Sequence, residues 1–214
     1  MRKYDGVIFD IDGTLTSTNE LIFSSFNHIM KKYLNKSMTN DEIISLFGPT
    51  EDQIIEDWFG VDAEKVRREY YSFYKANHAM ADIYPGIKEL LHLLKEKNVL
   101  LSIYTGKGRE ATLITLKKLG IYDYFDLIIT GSDVKEHKPS PEGIEIFLDK
   151  YSLDKEKVLM VGDAPADIKA ARAAGIKVAS VVWDSYAYEK VLLMESDFVF
   201  HTVNELKKFF METL

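Results

Sequence analysis

The chain alternates short, unbroken apolar runs with longer amphipathic stretches. Val7-Ile8-Phe9 is the first run, stopped by Asp10 and the turn-like Asp12-Gly13. Val99 to Tyr104 ends at Thr105-Gly106, Leu127 to Thr130 at Gly131, and Val158 to Val161 at Gly162-Asp163, while Lys177 to Val182 and Asp197 to Phe200 follow. Each has strand length and each of the first four is closed by turn chemistry, so each predicts a buried strand. Helical periodicity fills Gly86–Lys97, Lys107–Leu119, Pro141–Tyr151, Pro165–Ala174, Tyr186–Met194 and Val203–Phe210. Continuous apolar strands separated by helices predict an α/β chain with a doubly wound parallel sheet covered on both faces. Ligands of such sheets bind beyond the carboxyl ends of the strands, which singles out Asp10, Asp12, Thr105, Asp133, Asp163 and Asp167.

Between Thr16 and Ile83 the pattern changes: strand-like runs stop, and helical patterns cover Asn19–Leu34, Asp41–Phe47, Glu51–Phe59 and Ala63–Met80. Thr39-x-x-Glu42 and Thr50-x-x-Gln53 have the form of capping boxes. The expected organisation is a core from residues 1–15 and 84–214, with residues 16–83 inserted as a helical bundle after the first strand. Such a module beside the carboxyl edge of the sheet would cover a site and exclude water.

Composition narrows the chemistry. The 214 residues suffice for one buried core plus a smaller module. A net charge of −7 argues against counterion-release binding to nucleic acid, and an anionic substrate would need a local positive cluster. With no cysteine, disulfides, thiolate catalysis and Cys-based zinc sites are excluded, and a cytoplasmic location is expected. The segment Met1 to Gly6 reaches a charge at once and the run after it is too short for a signal peptide or a membrane span.

Four pieces carry candidate chemistry. Asp10-Ile11-Asp12-Gly13-Thr14 places two carboxylates at the end of a buried strand, both on one side if the chain stays extended. One carboxylate can attack phosphorus as a nucleophile, and the other can serve as acid and then base. Gly162-Asp163-Ala164-Pro165-Ala166-Asp167 also follows a strand and opens a helix. Asp163 and Asp167 could join Asp10 around a hard, oxygen-ligated cation such as Mg²⁺, although Asp163 before Pro165 also fits a helix cap. Thr105-Gly106 offers a hydroxyl and free backbone N–H groups to a phosphate oxygen. Lys138 in Lys138-Pro139-Ser140-Pro141 offers a fixed positive charge. The five histidines have no ligand spacing, and Tyr70-Tyr71-x-Phe73-Tyr74 reads as packing within the inserted module.

Taken in order, Asp10-x-Asp12-Gly13-Thr14, Thr105, Lys138-Pro139 and Gly162-Asp163 with Asp167 resemble the haloacid dehalogenase superfamily of phosphohydrolases. The resemblance implies a Rossmann-like core with strand order 5-4-1-2-3 and a helical cap inserted after the first strand. It implies that Asp10 is the nucleophile and a Mg²⁺ ligand, and Asp12 the acid/base with its backbone carbonyl on the metal. It further makes Thr105, Gly106 and Lys138 the phosphoryl anchors, Asp163 a metal ligand, and Asp167 a residue that ligates through water or supports Lys138. Many relatives carry Asn where Gly106 stands here. True C–halogen dehalogenases lack the second Asp of the first motif, so Asp12 points to phosphoryl chemistry. Thr18-Asn19-Glu20-Leu21-Ile22 with Ser24-Ser25-Phe26, then Phe47-Gly48-Pro49, look like the branch of bacterial pyrophosphatases and phosphoglycolate phosphatases. Thr18, Asn19, Gly48, Thr50, Lys107 and Arg109 are the candidates for substrate contact. The expected substrate is a small phosphorylated metabolite or pyrophosphate, with a phosphomutase or a phospho-acceptor module as the alternatives, and no nucleic-acid or membrane partner.

Overall fold

A computed structural model describes residues 3–214; Met1 and Arg2, the first positions of the charged N-terminal run, lie outside the described residues. A six-stranded sheet is formed by β1 (Gly6–Phe9), β4 (Leu100–Tyr104), β5 (Leu127–Ile129), β6 (Val158–Gly162), β7 (Lys177–Val181) and β8 (Phe198–Phe200). Its order is β5-β4-β1-β6-β7-β8, and every pairing is parallel. This is the expected strand order with one further strand, β8, at the β7 edge. The chain winds outward from β1 to β5, returns to β6 on the other side and winds outward again. The reversal opens a crevice at the carboxyl end of β1. The register sets Phe9 beside Ile103 and beside Val161, so Asp10 leaves the sheet between the ends of β4 and β6.

Alternation along β1 divides the core into two layers. Val7 and Phe9 face one cluster, shared with Ile87, Leu90, Leu91 and Leu94 of α5 (Ile87–Glu96) and with Leu206 and Phe210 of α10 (Val203–Thr213). Ile8 faces the other, with Ile144 and Phe147 of α7 (Glu142–Tyr151) and Ile168 and Ala171 of α8 (Pro165–Ala174). Burying each Leu, Ile or Phe contributes about 1.5–3 kcal/mol. The site therefore stands at the end of a strand buried at every position.

Four helices make the inserted module: α1 (Asn19–Leu34), α2 (Asn40–Ile44), α3 (Glu51–Phe59) and α4 (Ala63–Ala76). Leu21, Phe26 and Ile29 of α1 pack with Ile55 of α3 and with Val66, Tyr70 and Tyr74 of α4. Ala111 of α6 (Arg109–Lys118) joins the same cluster, and Tyr74 Oη lies 2.8 Å from Thr115 Oγ1 of α6. The module is thus seated on a core helix rather than only tethered to it.

Several boundaries differ from the sequence reading. The segment 16–83 is not free of strands: β2 (Thr16–Ser17) and β3 (Asp82–Ile83) pair antiparallel at its entry and exit. Two residues each leave no periodicity to read. α6 starts at Arg109 rather than Lys107, because Gly108 is its extended N-cap. α4 stops at Ala76 and a 3₁₀ turn covers His78–Met80. The helix expected over Tyr186–Met194 is the shorter α9 (Tyr188–Leu193). Ala164, not Asp163, occupies the N-cap of α8.

Candidate active site

The turn after β1 is built to aim two carboxylates. Thr14, Leu15 and Thr16 all donate backbone N–H bonds to the Ile11 carbonyl, at 3.2, 2.9 and 3.0 Å, which folds the chain back on itself. Gly13 sits at φ +80°, and a Cβ there would lie 2.4 Å from Asp163 Oδ2, so the turn requires glycine. Thr14 Oγ1 donates to Asp163 Oδ1 at 3.2 Å and links the β1 turn to the β6 turn.

Asp10, Asp163 and Asp167 converge, with one carboxylate oxygen from each lying within 4.8 Å of the others, all buried. Lys138 Nζ bridges two of them, donating to Asp10 Oδ1 at 2.7 Å and to Asp167 Oδ1 at 2.6 Å. The remaining Asp167 oxygen accepts the Ala164 N–H at 3.0 Å. Gly162 makes room for this arrangement, since a Cβ there would lie 2.3 Å from Asp167 Cγ. Asp163 is further tied by its carbonyl, which accepts from Ser185 Oγ at 2.6 Å.

Asp12 belongs to a second cluster, on the side facing the helical module. Lys107 Nζ donates to both of its carboxylate oxygens, at 3.2 and 3.1 Å, and Thr18 Oγ1 donates a short bond to Oδ1. Lys107 Nζ also lies 3.6 Å from Glu51 Oε1 at the start of α3. The other Glu51 oxygen accepts the Gly108 N–H at 2.6 Å. The loop after β4 is thereby latched to the module.

Burial pushes the Asp10 carboxyl up to about 6, with Lys138 opposing and Asp167 and Asp12 adding to the rise. Burial, then Asp10 and Asp167, hold Asp163 well above the usual carboxylate range. Burial works against the charge on Lys138, but Asp10 and Asp167 outweigh it and raise its pKa. The same balance, with Asp12, Tyr74 and Glu51 on the winning side, raises Lys107.

Three buried carboxylates around one ammonium leave negative charge uncompensated. Asp163 Oδ2 is buried without a hydrogen-bond partner. An orphaned carboxylate oxygen in an all-oxygen cluster fits a hard divalent cation of the Mg²⁺ type. Asp10 and Asp163 could hold it; both Asp167 oxygens are already engaged by Lys138 and the Ala164 N–H.

A cavity of about 200 Å³ opens over these groups. Of the residues singled out in the sequence, Asp10, Asp12, Thr105, Gly106, Lys138 and Asp163 line it, as do Asn19, Gly48 and Lys107. Asp167 lies behind Lys138. Thr18 is buried and spent on Asp12, and Thr50 caps α3 by accepting the Gln53 N–H at 3.3 Å. Arg109 does not line the cavity; its Nη1 donates to both carboxylate oxygens of Asp133 in an exposed pair, at 2.8 and 2.7 Å. Ile22, Phe26 and Phe47, quoted above only for the family resemblance, also line the cavity, as do Glu51, Ile54 and Tyr186, which sequence reasoning did not single out. For Glu51 the available signal was its place directly after the Gly48-Pro49-Thr50 stretch.

A family model described as haloacid dehalogenase-like hydrolase matches residues 7–181. A pyrophosphatase PpaX from Bacillus pumilus (strain SAFR-032) is 32% identical over 204 residues, covering 94% of this chain and 93% of that protein. A pyrophosphatase PpaX from Anoxybacillus flavithermus (strain DSM 21510 / WK1) is 34% identical over 205 residues, with 94% of each covered. The crystal structure of a predicted phosphoglycolate phosphatase from Haemophilus somnus 129pt superposes with a TM-score of 0.84 at 24% identity, covering 98% of this chain and 99% of that one, and so shares its fold. The chain belongs to the haloacid dehalogenase-like hydrolase family.

Proposed function

We propose that this phosphatase is a Mg²⁺-dependent phosphohydrolase that works through an aspartyl-phosphate on Asp10, releasing phosphate from a small phosphorylated metabolite or from pyrophosphate. The observation that carries the reading is the division of the two β1 carboxylates between separate cations: Asp10 with Lys138 beside the metal-type cluster, Asp12 with Lys107 on the cap side. One carboxylate is placed to attack and the other to handle protons.

In the first half-reaction an Asp10 carboxylate oxygen bonds to phosphorus while the bond from phosphorus to the leaving oxygen breaks. That oxygen takes its proton from Asp12. In the second, a water gives a proton to Asp12, its oxygen bonds to phosphorus, and the Asp10–phosphorus bond breaks to release inorganic phosphate. Lys138 offsets charge on the phosphoryl oxygens, with Thr105 and the backbone of Gly106 as further anchors. The cation, when bound, supplies charge neutralisation that lets an anionic phosphate approach an acidic cluster. Thr18 and Lys107 hold Asp12 in position for both proton transfers. The relatives named pyrophosphatases support pyrophosphate as one candidate substrate. Asp10→Asn is expected to abolish Mg²⁺-dependent phosphate release, a loss of at least about 10³-fold for removal of a nucleophile; full activity in that variant would refute the reading.

A further inference from the structure

This inference rests on the phosphohydrolase reading and concerns what the phosphoryl group is attached to. The floor of the cavity, at the sheet, is polar and carries Asp10, Asp163, Thr105 and Lys138. The opposite wall, supplied by the helical module, is mostly apolar, with Ile22 and Phe26 of α1, Phe47 and Pro49 before α3, and Ile54 of α3 set beside the polar Asn19 and Glu51. Tyr186, from the loop after β7, meets Phe47 edge-on across the mouth, with ring centroids 5.6 Å apart. A leaving group held beyond Asp12 therefore lies against hydrocarbon.

Charge on that side is already balanced or negative. Among the described residues lining the cavity, the cations are Lys107 and Lys138. Lys138 sits between Asp10 and Asp167. Lys107, on the leaving-group side, is flanked by Asp12 and Glu51. Glu51 itself is buried, lines the cavity and is anchored by the Gly108 N–H. A second anionic group on the substrate would give up its hydration to face an apolar wall and a fixed carboxylate, with no unpaired side-chain cation among the described lining residues to receive it on that side. An uncharged leaving group meets no such cost, and Asn19 and Tyr186 offer it hydrogen-bonding atoms. At about 200 Å³ the space lies below the roughly 300–1,000 Å³ of drug-sized sites, which limits the leaving group to a small one.

We infer that the site selects phosphate monoesters of small, uncharged, partly apolar alcohols, and that Glu51 is a specificity-determining residue that turns away substrates carrying a second anionic group. Pyrophosphate, with its second phosphate, and phosphoglycolate, with its carboxylate, are both in the disfavoured class. The chemistry at phosphorus is the same for all of them, so the selectivity lies in what the cap side of the cavity accepts.

The test is a set of kcat/KM values with Mg²⁺ for propyl phosphate, phenyl phosphate, phosphoglycolate and pyrophosphate. Wild type, Glu51→Gln and Phe47→Arg are compared. In wild type both uncharged-alcohol esters are expected to exceed both competitors that carry a second anionic group by at least about tenfold, the scale of one unpaired charge in a partly desolvated site. Glu51→Gln is expected to narrow that ratio at least about threefold by removing the repelling charge. Phe47→Arg adds a cation at the mouth without touching the floor, and is expected to narrow it in the same direction even if Glu51→Gln fails to fold. Pyrophosphate or phosphoglycolate matching the uncharged esters in wild type would overturn the inference, as would an unchanged ratio in the folded variants. If phosphate release depends on Asp10 but the anionic substrates lead, the selectivity alone has failed. If no compound gives Asp10-dependent release, the phosphohydrolase reading has failed with it.

Discussion

Two lysines divide the two aspartates that follow β1, and the division sets what each side chain can do. Lys107 and Arg109 are two residues apart, yet Lys107 is buried on Asp12 whereas Arg109 is half-exposed on Asp133. Arg109→Ala is expected to change stability by less than about 1 kcal/mol, as for other exposed ion pairs, and to leave kcat unchanged. Lys107→Met is expected to lower kcat at least about tenfold, because Asp12 loses the donor that orients it for proton transfer. Steady-state kinetics on the two variants check both halves. A second consequence concerns pH in the metal-free protein. Folded Asp10 keeps its proton up to about 6, against an ordinary value of 3.8. Between those values the folded state holds more protons than the unfolded state, so stability falls as pH rises through the window. Asp10→Asn removes that dependence. Urea midpoints without metal should therefore show the variant gaining on wild type as pH is raised from about 4 to about 7; a difference that does not vary with pH would contradict the electrostatic account.

Among the elements, the capping signals in the helical module carry measurable weight. Thr39 accepts the Glu42 N–H at 3.3 Å while Glu42 accepts the Thr39 N–H at 2.7 Å, a complete box on the five-residue α2. Thr39→Ala is expected to cost about 1 kcal/mol in thermal or urea unfolding and to leave kcat within about twofold, since α2 does not reach the cavity. The strands of the sheet, β1 above all, and their intervening helices were legible because buried parallel strands write continuous apolar runs and their crossover helices write a period near four. The β2–β3 pair was not, because two residues per strand carry no period. The early end of α4 and the late start of α6 were missed for a related reason: a 3₁₀ turn at His78 and a glycine cap at Gly108 break periodicity only locally.

At the scale of the molecule, the crevice at the sheet's reversal and the module above it enclose one cavity with a polar floor and an apolar roof. Most of the floor was legible because Asp10, Thr105 and Asp163 directly follow strands, and Lys138 stood out only in their company. The roof was less so, because Glu51 and Ile54 reach the cavity only through the angle at which the module docks on α6, and no local spacing encodes that angle. Thr18 shows the same limit from the other side, since its place in the chain suggested a substrate contact and its place in space is on Asp12. Among the described residues no helix is long and apolar enough to cross a membrane. The central claim is that Asp10 carries the phosphoryl group between substrate and water. Acid-quenching the enzyme during turnover with Mg²⁺, then mapping phosphorylation by mass spectrometry, tests it most directly. A phosphoryl group is expected on the peptide carrying Asp10 in wild type and is expected to be absent in Asp10→Asn. Turnover with the phosphoryl group on another residue, or undiminished phosphate release by Asp10→Asn, would contradict it.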